Sequence, residues 1–343
     1  YHHMIIRIIY TFCFLILNAN FLVSKEVNVF SSRHYESDYK LYDFFTKKTG
    51  IKVNVITGKS KLLEKRIIEE GNSCKGDLLI LADAGRMGSA ESKGLFQKFN
   101  SSVLKKKIPE NLRTDYWYSI AKRARIFFYN NKNVKNKDLK NIDYLDLADE
   151  KWDGDILIRA SNNIYNQSLV AYMIEVYGEK KATEWVRGLV KNMARSPQGN
   201  DRAQILGVAA KEGKIAVANT YYHSLMMSGK KGTEQKKAAE KVSPIFPGQN
   251  SKGTHINISG AGLLKHSPNK KNAIKLLEFF LSDKAQKHIV NNTFEYPISK
   301  NVNPHPLVSR LGTNFKENNS ISISSYFKWQ SKAYKIMLEN GWK

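Results

Sequence analysis

Polar and apolar residues alternate over residues 26–30, Glu-Val-Asn-Val-Phe, which reads as a first β-strand with one buried face. The run ends in a polar turn, Ser31-Ser32-Arg33-His34-Tyr35. From about Ser37 the pattern changes to helical spacing, with Leu41, Phe44 and Phe45 on one face and Gly50 placed as the C-terminal stop. Residues 51–56 alternate again, so the segment is a strand–helix–strand unit. A polar helix over 61–70 follows, then the short apolar run 77–81 of a buried parallel strand. Ala82-Asp83-Ala84-Gly85 is its exit turn, and 86–93 starts a further helix.

Residues 124–129 form another strand, read as the place where the chain crosses to a second lobe. That lobe takes a strand at 156–158, helices at 168–177 and 180–191, a helix after Gly199, and a late strand at 215–218. Residues 256–260 return to the first lobe, where a helix over 272–280 packs. Strands alternating with helices predict an α/β fold, and two crossings predict a hinged two-lobed clamshell. The expected division is 25–123 plus 259–300 for the N-terminal lobe, and 124–258 plus 301–343 for the C-terminal lobe.

Tyr1-His2-His3 resembles the remnant of a tag before Met4. Arg7 and the apolar stretch 8–17 then read as a secretory signal peptide over 4–24, too short for a membrane span of about 20 apolar residues. Cys13 lies inside that stretch, which leaves Cys74 alone in the mature chain. One cysteine makes neither an internal disulfide nor a thiolate metal site. The net charge of +24 is large, but the lysines are scattered among asparagines along the whole length. With no nucleic-acid motif beside them, they do not point to a nucleic-acid partner.

The candidate chemistry lies in four tyrosines: Tyr35, Tyr165, Tyr221 and Tyr222. An adjacent pair means little by itself, since about one such step is expected from 17 tyrosines in 343 residues. Position carries more weight. Tyr35 follows the first strand, Tyr221 and Tyr222 follow the late strand of the other lobe, and Tyr165 sits in a polar segment between a strand and a helix. Open α/β sheets put their binding residues at such exits. Four phenol oxygens, with His34 beside the first, suit a hard cation such as Fe(III) and suit Zn or Cu(I) poorly. No Ser/His/Asp set, GxGxxG, P-loop or HExxH motif speaks for an enzyme.

The strings SSRHYESD, LADAGRM, AKRAR, NIYNQSLVAYMI, GNDRAQI and VANTYY resemble the periplasmic ferric-iron-binding proteins of bacterial ABC importers, most closely the FutA type of cyanobacteria. The resemblance runs from about Lys25 to the C-terminus. It implies a transferrin-like, class II periplasmic-binding-protein clamshell that holds Fe(III) in its cleft, works as a monomer and delivers the ion to an ABC permease. It further implies Tyr35, Tyr165, Tyr221 and Tyr222 as metal ligands, with His34 as a variable fifth. Arg125, in the AKRAR string, would donate to a phenolate or balance a fourth one; a salt-bridge role at the surface is the other reading. Asp83, Arg86, Asn200, Asp201 and Arg202 also fall in these strings, and they are expected to be structural or to line the cleft. Some relatives carry an arginine shortly after the tyrosine pair, whereas this chain reads His223-Ser224-Leu225-Met226. A clamshell for another anionic or cationic small solute is the alternative.

Overall fold

The computed structural model describes residues 25–343, so the leader expected over 4–24 lies outside the described residues. The strands in chain order are β1 (Glu26–Ser31), β2 (Lys52–Thr57), β3 (Leu78–Ala82), β4 (Trp117–Asn130), β5 (Ile156–Leu157), β6 (Ile215–Asn219), β7 (Val242–Ile245) and β8 (Ile256–Leu263). They are ordered β2-β1-β3-β8-β4-β6-β5, with β7 paired to β4. β1 runs parallel to β2 and β3, and β5 parallel to β6. β8 and β4 are antiparallel to their neighbours. The parallel strands alternate with helices that cover their faces, which is why β3 is apolar along nearly its whole length.

β4 joins the two halves. Its first part, Trp117 to Ala124, pairs with β8, and its second, Arg125 to Asn130, pairs with β6 and β7. A strand of 14 residues spans about 45 Å, enough to run through both. The sequence reading began this strand at residue 124. Its earlier half contains Lys122 and Arg123, which break the apolar pattern, yet Lys122 pairs with Glu317 and Arg123 with Glu295. Charges that are paired in this way do not interrupt a strand.

The helix Ser37–Thr49 ends at Gly50, whose φ of 72° is the left-handed value a C-terminal stop requires. The helix Ile164–Tyr177 starts four residues earlier than expected, capped by the Asn163 side chain. The helix Lys270–Phe280 packs on β1 and β8, as expected for the return to the first half. The C-terminal helix Ser325–Glu339 was not foreseen. It packs against Ile164–Tyr177 and against Ala84–Ser92, and so touches both halves. Gly88 permits this approach: a Cβ there would lie 2.4 Å from the Phe327 Cβ. One hydrophobic cluster runs through both halves, from Val27 on β1 to Trp342. Cys74 is buried and free.

Candidate functional site

Three helices begin where the chain leaves a strand, and each carries its tyrosine at that start. The Tyr35 carbonyl accepts from the Asp38 N–H at the opening of Ser37–Thr49. The Tyr165 N–H donates to the Asn163 side chain in the first turn of Ile164–Tyr177. Tyr221 and Tyr222 lie in the first turn of Thr220–Met227, directly after β6. The positive end of a helix dipole favours an anionic oxygen nearby, so these are good places to form phenolates.

The tyrosines meet. The Tyr221 hydroxyl donates to that of Tyr165 at 3.4 Å. The Tyr221 and Tyr222 rings stack with centroids 4.2 Å apart. Tyr35 is close enough to Tyr165 and Tyr221 that their charges oppose one another. All four side chains are half-buried. Strands and helices from both halves of the sheet therefore bring residues 130 and more positions apart to one point.

His34 does not join this contact set. Its side chain is exposed and lines a neighbouring chamber that Asn162 and Arg86 also line. Arg125 is buried but donates to no phenol. Its guanidinium bonds Asp201, Asn219 and the Asn166 side chain. It thereby ties the residue after Tyr165 to the strand end before Tyr221, and fixes the two helix starts relative to each other. The surface salt-bridge reading of Arg125 fails as well, since the residue is 1% exposed.

The guanidiniums that do face the tyrosines were missed in the sequence. Arg123, two positions before Arg125 and so on the same side of β4, lies over the Tyr165 ring at 5.4 Å and the Tyr221 ring at 5.8 Å. Arg33 lies over the Tyr35 ring at 4.9 Å. Arg159 lies over Tyr165 at 6.0 Å and reaches the Tyr222 hydroxyl at 3.5 Å. Glu295 joins Arg33 at 3.1 Å and Arg123 at 2.9 Å, and Arg33 also pairs with Asp38. Asp201 takes Arg125 and Arg159. The only available signal was an Arg at every second position in the AKRAR string. Arginines in a lysine-rich chain give no contrast, and Glu295 stands alone in its stretch.

Asp83, just after β3, ties the halves together. Its carboxylate accepts from Ser168 at 2.9 Å, Asn257 at 2.7 Å and the Gly85 N–H at 2.6 Å. Ser168 is one turn beyond Tyr165 on the same helix. Asp83 holds a φ of 90°, a strained value for a residue with a Cβ, and these bonds hold it there.

Burial sets the protonation state. It pushes the Tyr35 and Tyr221 phenols well above their ordinary value. Glu295 adds to the push on Tyr35, and Tyr165 and Tyr222 add to that on Tyr221, while Arg123 opposes both. Tyr222 is pushed up to about 12, first by burial and then by Asp201 and Tyr165. Burial works against the Glu295 charge too, but Arg33 and Arg123 outweigh it and hold the carboxylate below its usual range. Tyr35, Tyr221 and Tyr222 are thus neutral phenols beside fixed guanidiniums. Arg33, Arg123, Arg125 and Arg159 face Asp38, Asp201 and Glu295, leaving one positive charge, while Asp83 and Arg86 offset each other. A trivalent cation bound by four phenolates would carry one negative charge, and with it the cluster would be neutral overall. Desolvated charge is expensive unless balanced in this way. Among the described residues no group of three or more His, Cys, Asp or Glu side chains is placed to hold a metal, so a metal held here would be held by phenol oxygens.

Known proteins carry the same architecture. Residues 75–335 match the sequence profile described as bacterial extracellular solute-binding protein. The chain is 42% identical to iron uptake protein A1 of Synechocystis sp., over 93% of this chain and 88% of that protein. A Trichodesmium protein solved in complex with iron and citrate ligands superposes with a TM-score of 0.89 at 45% identity, covering 93% of this chain and all of the other. The apo form of FutA2 from Synechocystis superposes with a TM-score of 0.88 at 40% identity, over the same shares.

Proposed function

The chain belongs to the bacterial extracellular solute-binding protein family, and from that membership we propose that it captures ferric iron in its cleft and hands it to an ABC permease. The observation that carries the proposal is the convergence of Tyr35, Tyr165, Tyr221 and Tyr222 beside Arg123. Its named relatives are binding and uptake proteins for iron, and the chain is a binding protein rather than an enzyme.

Tyr35 belongs to the lobe built on 25–123 plus 259–300, and Tyr165, Tyr221 and Tyr222 to that built on 124–258 plus 301–343. Each lobe alone offers an incomplete set of ligands. The ion links them and shifts the hinge through β4 and β8 toward the closed form, because only that form satisfies all the oxygens. The four phenols lose their protons to the ion, and His34, which lines the neighbouring chamber and not the phenol contact set, is the group proposed to reach it as a fifth ligand once the lobes close. Arg123 stabilises the new charge on Tyr165 and Tyr221. The monomeric protein works in the periplasm, where opening, protonation of phenolates or reduction of the ion releases the cargo to the permease.

Titration of the metal-free chain with ferric nitrilotriacetate, followed by gel filtration, tests this. A broad visible phenolate-to-iron absorption band retained with the protein is the expected result. A colourless protein fraction would reject the proposal.

A further inference from the structure

Arg33 and Arg123 face tyrosines from opposite halves, and one carboxylate holds both. Arg33 lies over the Tyr35 ring, and Arg123 over those of Tyr165 and Tyr221. Glu295 accepts from Arg33 at 3.1 Å, from Arg123 at 2.9 Å and from the Ser259 hydroxyl at 3.1 Å, and it is 1% exposed. The chain fixes it between β4 and β8. Phe294 ends the helix Asp283–Thr293 with a left-handed φ of 59° and packs in an apolar cluster beside Tyr221 and Leu225. Tyr296 exchanges both backbone hydrogen bonds with Lys122 of β4, at 2.7 and 3.0 Å. Ser259 belongs to β8. Arg123 also donates to the Ile258 carbonyl at 2.8 Å, and its Nε has no partner among the described residues. A buried charge cluster of this kind adds little stability, since apolar side chains of similar volume often replace one without loss. Its charge therefore calls for another role.

We propose that Glu295 is a specificity-determining residue, whose charge sets how strongly the tyrosine cluster prefers the ferric to the ferrous ion. The inference rests on the iron reading above and adds to it the group that separates the two oxidation states. Coulomb energy is proportional to the charge of the ion, so a fixed negative charge near the site favours Fe(III) over Fe(II) by the energy of one extra unit charge. This holds for whichever phenolates bind, provided that they are the same for both ions. Arg33, Arg123, Arg125 and Arg159 against Asp38, Asp201 and Glu295 leave one positive charge. Four phenolates would bring the ferric ion to one negative charge and the ferrous ion to two, so only the ferric load would be balanced. Without the Glu295 charge the surroundings would carry two positive charges, and the ferrous load would be the balanced one. After burial, Glu295 is also the group that most opposes a phenolate at Tyr35, so it demands a more highly charged ion there.

The midpoint potential of the bound iron tests this, because it reads the ratio of ferric to ferrous affinity. The chain is loaded with ferric nitrilotriacetate, gel-filtered, and titrated anaerobically with dithionite and mediator dyes while the visible iron band is followed. The protein concentration is kept high enough to hold the ferrous ion. A unit charge acting through several ångströms of protein changes the ratio about tenfold. Glu295→Gln should therefore raise the midpoint by about 59 mV, the equivalent of tenfold for one electron. The double variant Arg33→Gln/Glu295→Gln loses one charge of each sign, and its midpoint should return toward that of the wild type. A purely structural role would leave the double variant at least as far from the wild type as the single one. Should Glu295→Gln not fold, Arg33→Gln alone decides: it leaves the carboxylate less screened, so the midpoint should fall. An unchanged or lower midpoint in Glu295→Gln, a double variant that does not return, or an unchanged or higher midpoint in Arg33→Gln would each overturn the proposal. A wild-type chain with no iron band would reject the iron reading itself, whereas a band whose midpoint ignores these charges rejects only the role of Glu295.

Discussion

Tyr222→Phe removes one oxygen and leaves a ring that can still stack on Tyr221, where the centroids are 4.2 Å apart. The hydroxyl it removes titrates at about 12 in the metal-free chain, raised first by burial and then by Asp201 and Tyr165. Ionising it at pH 7 therefore costs about 7 kcal/mol, at 1.36 kcal/mol per pH unit. The metal must supply that energy, and one proton leaves for each phenolate formed. Every phenolate thus adds one to the slope of the logarithm of apparent iron affinity against pH. Between pH 6 and 8, four tyrosines that bind as phenolates give a slope of about four and the variant a slope of about three. The sign is fixed: affinity falls as the solution is acidified. Competition against a chelator, corrected for the chelator's own titration, measures both slopes. The stability cost of the variant is small, since the hydroxyl's one guanidinium contact, from Arg159, is long at 3.5 Å. Equal slopes and equal affinities in the two proteins would show that Tyr222 does not ligate the ion.

Arg123→Met removes the guanidinium over Tyr165 and Tyr221 while Glu295 keeps Arg33 and Ser259, so ferric affinity should fall about 10- to 100-fold, or roughly 1.4–2.7 kcal/mol; unchanged affinity in chelator competition would contradict the charge balance. Gly88→Ala drives a Cβ into Phe327 and should lower stability by about 1–3 kcal/mol in denaturant melts, with the iron band of the folded fraction unaltered; a neutral result would mean that the C-terminal helix can shift freely. The metal-free protein should lose stability as pH rises above about 10, because unfolded phenols ionise there while Tyr35, Tyr42, Tyr144 and Tyr221, pushed up by desolvation, still hold their protons. A flat melting temperature from pH 9 to 11 would contradict that burial.

The alternating run that became β1 was readable because Val27 and Val29 are buried on one face, and the apolar run that became β3 because both its faces are buried; β2 keeps its alternation although its residues are half-buried or exposed. β4 was only half readable. Its charged residues are internal partners of Glu295 and Glu317, some 170 to 195 positions away, and nothing local announces that pairing. The C-terminal helix did leave a trace: Tyr326, Ala333, Ile336 and Met337 recur at helical spacing and are its buried face. The tyrosines could be placed at strand exits from pattern, and joined into one set only through the family's strings. The arginines behind them could not be chosen from sequence. Arg125 and Arg123 share a strand face, and which of them meets the phenols depends on the claim that Asp201 and Asn219 make on Arg125.

The central claim is that four phenol oxygens hold one ferric ion. An anomalous difference map, collected at the iron absorption edge from crystals of the iron-loaded chain, tests it most directly. The account requires a single strong peak within bonding distance of the hydroxyls of Tyr35, Tyr165, Tyr221 and Tyr222. A peak elsewhere on the chain, or a peak that leaves two or more of those oxygens unbonded, would contradict it.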